Sequence, residues 1–371
     1  MPIKILQIGA GIRGRHWLKF IQEHPDTVTV GCVDSEPQAL DWVRKTYGNG
    51  HCECFADLET ALGKVSADAA LITSPSFLHA EHAIKSLQAG LAVMVEKPFA
   101  CNVNEARRII EQGNALGKPV VVAENFRFVP AERTVRKLVQ DGLIGRISNV
   151  TFVDRRRMPS HTQGPWMAAI DYAQLQEIAV HHFDSLRSFF CRRPLNVFAR
   201  AWNPPGSDYR HGACTEALIE MEQGLHIQYV GSLTSQRFEY RLSIEGEDGV
   251  IWTNRKFVLL RKRGQRFYLP VKAVKVPKGD EAPFPKEGSV SLLNSLRDAI
   301  LLGREAETSG QDNIWTIAMV EAAMSSDRNR RVVSIDEVLP QSAAAWLKPT
   351  EISPAQPNQG RAQSVHRPAS N

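Results

Sequence analysis

Six residues near the start of the chain constrain its fold more than any others. Gly9-Ala10-Gly11-Ile12-Arg13-Gly14 follow directly on an apolar run of Ile3, Ile5, Leu6 and Ile8, and Asp34 closes a second apolar run twenty positions beyond Gly14. Each part of that pattern has a physical reason. Gly9 permits a tight turn off a strand, Gly11 lets backbone approach a pyrophosphate, and Gly14 lets the next helix pack closely on the sheet. A helix starting near Ile12 aims unpaired N–H groups and the positive end of its dipole at the phosphates. Asp34 then stands where a carboxylate accepts hydrogen bonds from the adenosine ribose. An ordinary glycine-rich loop would leave Asp34 unexplained, so the pattern predicts dinucleotide binding.

Asp34 also discriminates between dinucleotides. A 2′-phosphate would meet its negative charge, and Ser35 and Glu36 bring no cation to offset it. NAD is therefore expected over NADP. The 371 residues suffice for two cores, and no apolar run approaches the ~20 residues that span a bilayer. A strand that begins at once leaves no room for a signal peptide, so a cytoplasmic protein without membrane partners is expected. Lys+Arg of 45 against Asp+Glu of 40 gives a net charge of +5, read as diffuse and as no sign of a nucleic-acid partner. His51-Cys52-Glu53-Cys54 invites a zinc reading, but no second ligand pair completes it, so no metal is expected and the six cysteines are read as reduced thiols.

Strands are expected at 4–8, 28–33, 69–73, 92–95 and 120–123, with helices at 13–23, 37–47, 79–88 and 103–116. Short β-branched runs alternating with amphipathic helices demand a parallel sheet with right-handed crossovers. From residue 125 the rhythm changes. Helices at 131–140 and 174–190 flank a strand at 147–154, and a meander follows at 197–202, 217–221, 225–232, 241–246, 250–254, 256–261 and 266–269. Helices at 289–302 and 311–325 come last. The expected architecture is α/β: a doubly wound parallel sheet over residues 1–124, then an α+β domain over 125–340 with a mostly antiparallel open sheet. Residues 341–371, rich in Pro, Gln, Ser and Asn, are expected to be a disordered tail.

Two constellations beyond the glycine loop carry chemistry. Glu96-Lys97-Pro98 emerges from the carboxyl end of a parallel strand, the edge where ligands bind in open α/β sheets. Glu177, His181 and Asp184 fall within an arc of about 60° on one helix. A histidine flanked by two carboxylates can keep a raised pKa and shuttle a proton near neutral pH. Either set could equally be a solvated surface. Arg155-Arg156-Arg157 follow a strand, and the three could clamp a carboxylate or phosphate of a substrate or simply be solvated at the strand end; Trp166 could stack on a sugar ring or simply pack.

Together with Thr73-Ser74-Pro75 and His79, with Asn125-Phe126-Arg127-Phe128-Val129-Pro130, and with the helix from Asp312 to Ser325, these motifs resemble the Gfo/Idh/MocA oxidoreductases. The resemblance covers roughly residues 3–335. It implies hydride transfer between NAD and a secondary alcohol of a sugar, cyclitol or other polyol, with Lys97 and His181 as catalytic residues. Glu177 stands where many members carry Asp, and Ala179 where glycine is common. Glu177 would hold the imidazole or bind a substrate hydroxyl. The cofactor set it implies is Gly9, Gly11, Ile12, Arg13, Gly14, Asp34, Thr73, Ser74, Pro75, His79, Glu96, Lys97 and Asn125. Arg157, Trp166 and Asp184 are the candidate substrate residues. Two other activities share the pattern: an NAD-dependent glycosidase, and a non-catalytic sensor, against which the retention of Lys97 and His181 argues. A homo-oligomer, dimer or tetramer, is expected to cover the open sheet face.

Overall fold

A computed structural model describes residues 1–47, 52–162 and 165–340. The first 122 residues alternate strand and helix: β1 (Ile3–Ile8), α1 (Ile12–Glu23), β2 (Thr27–Val33), α2 (Pro37–Tyr47), β3 (Glu53–Phe55), α3 (Leu58–Lys64), β4 (Ala69–Ile72), α4 (His79–Gln88), β5 (Ala92–Val95), α5 (Val103–Leu116) and β6 (Val120–Val122). The strands form one parallel sheet in the order β3-β2-β1-β4-β5-β6. Local chemistry sets the helix ends. Asn102 accepts from the Glu105 N–H to start α5, and Gly117, at φ +60°, stops it. β3 and α3 lie outside the sequence expectation, because a three-residue strand carries too little periodicity to read.

The second part holds α6 (Pro130–Gln140), β7 (Ile147–Arg157), α7 (Pro165–Ala169), α8 (Val180–Phe190), β8 (Pro194–Trp202), β9 (Cys214–Met221), β10 (Leu225–Ser232), β11 (Thr234–Gly246), β12 (Gly249–Thr253), β13 (Val258–Lys262), β14 (Leu269–Pro270), α9 (Ser289–Leu302), α10 (Gly310–Asn329), β15 (Val333–Ser334) and α11 (Ile335–Val338). Its nine strands run β14-β13-β12-β11-β7-β10-β9-β8-β15, and only the β7–β10 pair is parallel. Alternating residues such as Ile219, Ile227, Phe152 and Ile244 are buried in one core with Phe183 and Leu186 of α8. On the opposite face Leu218 and Trp202 are exposed. Helix α9 returns to the first sheet, where Leu292, Leu293 and Leu296 join Ile3, Ile5, Trp17 and Met94 in a single cluster.

Three expectations need correction. The helix expected over 174–190 opens with a π-helical turn, Leu175–Ala179, before α8 begins. The strand expected at 266–269 shrinks to the two residues of β14. Basic charge is not diffuse either: nine Lys and Arg and no acid stand from Arg255 to Lys278 inclusive, and the β13–β14 hairpin exposes Lys262, Arg263 and Arg266. The 341–371 tail and His51 lie outside the described residues.

Asp184 also changes role. It is 1% exposed and accepts from Arg127 Nε at 2.5 Å and Nη2 at 2.7 Å, from Asn313 at 3.3 Å and from Thr316 at 3.1 Å. Its oxygens are spent on the protein, so it is a strut and not a substrate ligand. Asp184→Ala should leave the buried Arg127 guanidinium short of a counter-charge and lower stability by about 3 kcal/mol in urea unfolding.

Candidate active site

The glycine loop is built by close approach. Gly9 sits at φ +95°, and a Cβ there would come within 2.8 Å of the Thr73 carbonyl carbon. At Gly14 a Cβ would stand 2.2 Å from the Gly9 carbonyl oxygen. At Gly11 it would meet nothing within 4 Å, so the loop is crowded behind and open in front. Thr73 Oγ1 donates to the Gly9 carbonyl at 2.9 Å and accepts from Gln7 at 2.7 Å, which fixes the turn from below. Among the described residues no side chain caps α1 at Gly11, and Ile12 is exposed beside it. Asp34 accepts from the Ala10 N–H at 2.6 Å and the Glu36 N–H at 2.9 Å, tying the end of β2 to the loop. An uncapped helix start, an open glycine and a half-buried carboxylate beside them fit a dinucleotide held by Gly9, Gly11, Ile12 and Asp34.

Several residues expected to bind the cofactor spend their side chains on the protein instead. Arg13 pairs with Glu96 at 2.5 Å and donates to the Pro285 carbonyl at 3.0 Å. Arg15 lies 4.6 Å above the Trp42 ring. Glu96 is buried and also accepts from Trp17 Nε1 at 2.6 Å. Burial would push its carboxyl up, but Arg13 and the indole N–H outweigh it and hold Glu96 below the usual range. His79 is buried between the carbonyls of Pro98, at 2.8 Å, and Ser74, at 2.9 Å, so it staples the loop of Thr73, Ser74 and Pro75 to the chain leaving β5. Ser74 Oγ bonds His82 at 2.9 Å. Asn125 donates to the Glu287 carbonyl at 3.2 Å.

Lys97 follows β5, and its Nζ lies 3.0 Å from both the carboxylate and the backbone carbonyl of Glu177. The longer acid thus reaches the lysine rather than the histidine. His181, 7% exposed, turns Nδ1 to Glu124 Oε2 at 2.7 Å. Nε2 has no hydrogen bond among the described residues. The Phe126 ring stacks on the imidazole at 4.2 Å and 7°, and the Arg255 guanidinium lies 3.3 Å from the far side of that ring. The partners that hold His181 are therefore Glu124 and Phe126, not Glu177 and Asp184.

This corrects the expected electrostatics as well. Burial, then the charge of Lys97, drives His181 well below an ordinary histidine. Glu124 is fully buried, and its Oε1 has no partner among the described residues. Burial lifts its carboxyl, against Lys97 and Arg127, to about 7. Glu124 escaped the sequence reading, although one signal was available: an acid just beyond β6 shares the carboxyl edge with Lys97 beyond β5.

The arginine run is not a triple clamp. Arg156 pairs with Asp154 and Arg155 with Glu239. Arg157, exposed at the end of β7, has no ion pair among the described residues, and Trp166 on α7 is 40% exposed. Gly14→Ala should force α1 off the Gly9 carbonyl and weaken NAD binding at least about tenfold in calorimetric titration, with the circular dichroism of the fold retained.

The oxidoreductase family with an NAD-binding Rossmann fold (GFO/IDH/MocA) matches residues 3–124, and its C-terminal domain matches residues 133–252. Inositol 2-dehydrogenase of Rhizobium meliloti is 23% identical over 354 residues, 90% of this chain and 100% of that one. D-apiose dehydrogenase of Paraburkholderia graminis is 25% identical, with 91% of each chain covered. An Agrobacterium radiobacter oxidoreductase, solved with NAD+, L-tartaric acid and magnesium, shares the fold at a TM-score of 0.80 and 20% identity, covering 91% of this chain and 99% of its own.

Proposed function

The chain belongs to the GFO/IDH/MocA family of NAD-binding oxidoreductases, and from that premise we propose that it oxidises a secondary alcohol of a sugar, cyclitol or related polyol. The observation that carries this reading is the convergence at one sheet edge: Lys97 and Glu124 leave neighbouring strands beside the glycine loop, and α8 brings His181 to meet Glu124. NAD, when bound, supplies the hydride acceptor. A carboxylate at Asp34 would repel a 2′-phosphate, and Arg13 and Arg15 are engaged elsewhere, which supports NAD over NADP.

The residues divide the work. His181 Nε2, unpaired among the described residues, takes the hydroxyl proton of the substrate. A histidine held neutral by burial is a base with its lone pair available. The ammonium of Lys97 stabilises the alkoxide as it develops, and Glu177 aims that ammonium with two oxygens. Arg157 and Trp166 stand as substrate contacts on the second part of the chain. The uncovered face with Leu218 and Trp202 supports a homo-oligomer, dimer or tetramer, formed through the nine-stranded sheet.

The test is NADH formation from NAD with a panel of inositols, aldoses, polyols and sugar acids, with Lys97→Ala run beside the wild type. The wild type should turn over at least one class, and Lys97→Ala should lose about 100-fold or more in kcat while NAD affinity stays unchanged. An unchanged rate in the variant would remove Lys97 from the chemistry.

A further inference from the structure

We infer that Glu124 is a proton-accepting positioning residue behind His181, so that the pair moves a proton without forming a lasting imidazolium. The inference rests on the acid–base reading of His181 and deepens it. Four geometric facts carry it. Glu124 Oε2 and His181 Nδ1 are 2.7 Å apart, close enough to share one hydrogen. Glu124 has no solvent exposure, and its second oxygen has no partner among the described residues. The opposite ring nitrogen, Nε2, has no partner among the described residues. The Phe126 ring, stacked flat on the imidazole and backed by Arg255, keeps water off one face and places positive charge nearby.

Charge decides between two ways of storing the proton. In the first, Glu124 stays ionised and His181 becomes an imidazolium. That cation would be buried facing Lys97, Arg255 and His182, with Arg127 and Arg187 also close to the carboxylate. In the second, Nε2 takes the hydroxyl proton of the substrate while the Nδ1 proton crosses to Glu124. One O–H and one N–H bond break, one N–H and one O–H bond form, and the imidazole is neutral before and after. Hydride leaves the same carbon for the cofactor, which completes the balance. A bare carbonyl oxygen costs far less to bury than a bare carboxylate oxygen, so the unpartnered Oε1 suits a neutral Glu124 acid. Glu124 titrating at about 7, with Glu96 adding negative charge beside it, puts the exchange near physiological pH. Alcohol oxidation needs the ionised form, so its rate should fall as pH drops through about 7.

Magnetic resonance of the nucleotide-free protein, with labelled imidazole nitrogens and glutamate carboxyls, tests this without turnover. The expected result is one transition near neutrality in which Glu124 protonates while His181 changes from the Nδ1–H to the Nε2–H tautomer. An imidazolium signal with Glu124 ionised throughout would overturn the inference and leave the dehydrogenase reading untouched. Kinetics give the second arm. Glu124→Gln keeps the shape and should lower kcat about 100-fold, with KM and NAD affinity unchanged and the acid limb of the pH profile lost. Glu124→Asp should restore part of the rate and the limb. A Gln variant with wild-type kcat and acid limb would also overturn it, whereas absence of turnover in the wild type would strike the dehydrogenase reading instead.

Discussion

Arg127 lies buried where the link between the two sheets meets α8 and α10, and its guanidinium binds three groups at once: Asp184 on α8, Asp312 on α10 and the Glu307 carbonyl. A buried cation of this kind must be paired or it destabilises the fold by several kcal/mol, so the three segments have one low-energy arrangement. Arg187 adds a second guanidinium on Asp312 and a bond to Thr316. The outcome is a fixed position for α8 relative to the carboxyl edge of the first sheet. His181, one turn before Asp184 on the same helix, inherits that position. Phe126, immediately before Arg127, is set against the imidazole by the same anchor.

A second set of buried charges does for the first sheet what Arg127 does for the junction. Glu96 collects Arg13 and Trp17 from α1, so the helix that starts at the glycine loop is locked to the strand end that presents Lys97. Arg13 also reaches the Pro285 carbonyl, so a segment distant in sequence closes over the same point. His79 lies between two carbonyls of the neighbouring segments; burial lowers its pKa, and the neutral ring donates its one N–H to one of them. These groups were candidates for contact with a cofactor. Their hydrogen bonds instead hold rigid the backbone that would make the contact, in keeping with the precision a hydride-transfer site requires.

The chemistry at the centre depends on where burial places charge. Lys97 is neutralised by Glu177, Arg127 by Asp184 and Asp312, and Glu96 by Arg13. Glu124 alone among these acids lacks a cation within salt-bridge distance and touches an imidazole instead. That difference separates a carboxylate that only orients its neighbour from one able to exchange a proton with it.

What was legible in the sequence was local. The spacing of Gly9, Gly11 and Gly14 before a helix, and of Asp34 after a strand, follows from steric rules within a short stretch of chain, and so do the helices at 79–88, 103–116 and 289–302. The lysine at the end of β5 and the histidine on its helix could be named as well, since each occupies a recognisable motif. Partnership was not legible. Glu177 and Asp184 lie one turn from His181 and seemed its natural neighbours, yet the π-helical turn and the pull of Arg127 rotate their carboxylates elsewhere, and Glu124, 57 residues away, fills the place. The sequence by itself determined which backbone could fold around a dinucleotide, because that depends on Cβ atoms being absent at three positions. Only the tertiary structure decided which acid answers the histidine, because a pKa is set by distances and burial that no local pattern encodes.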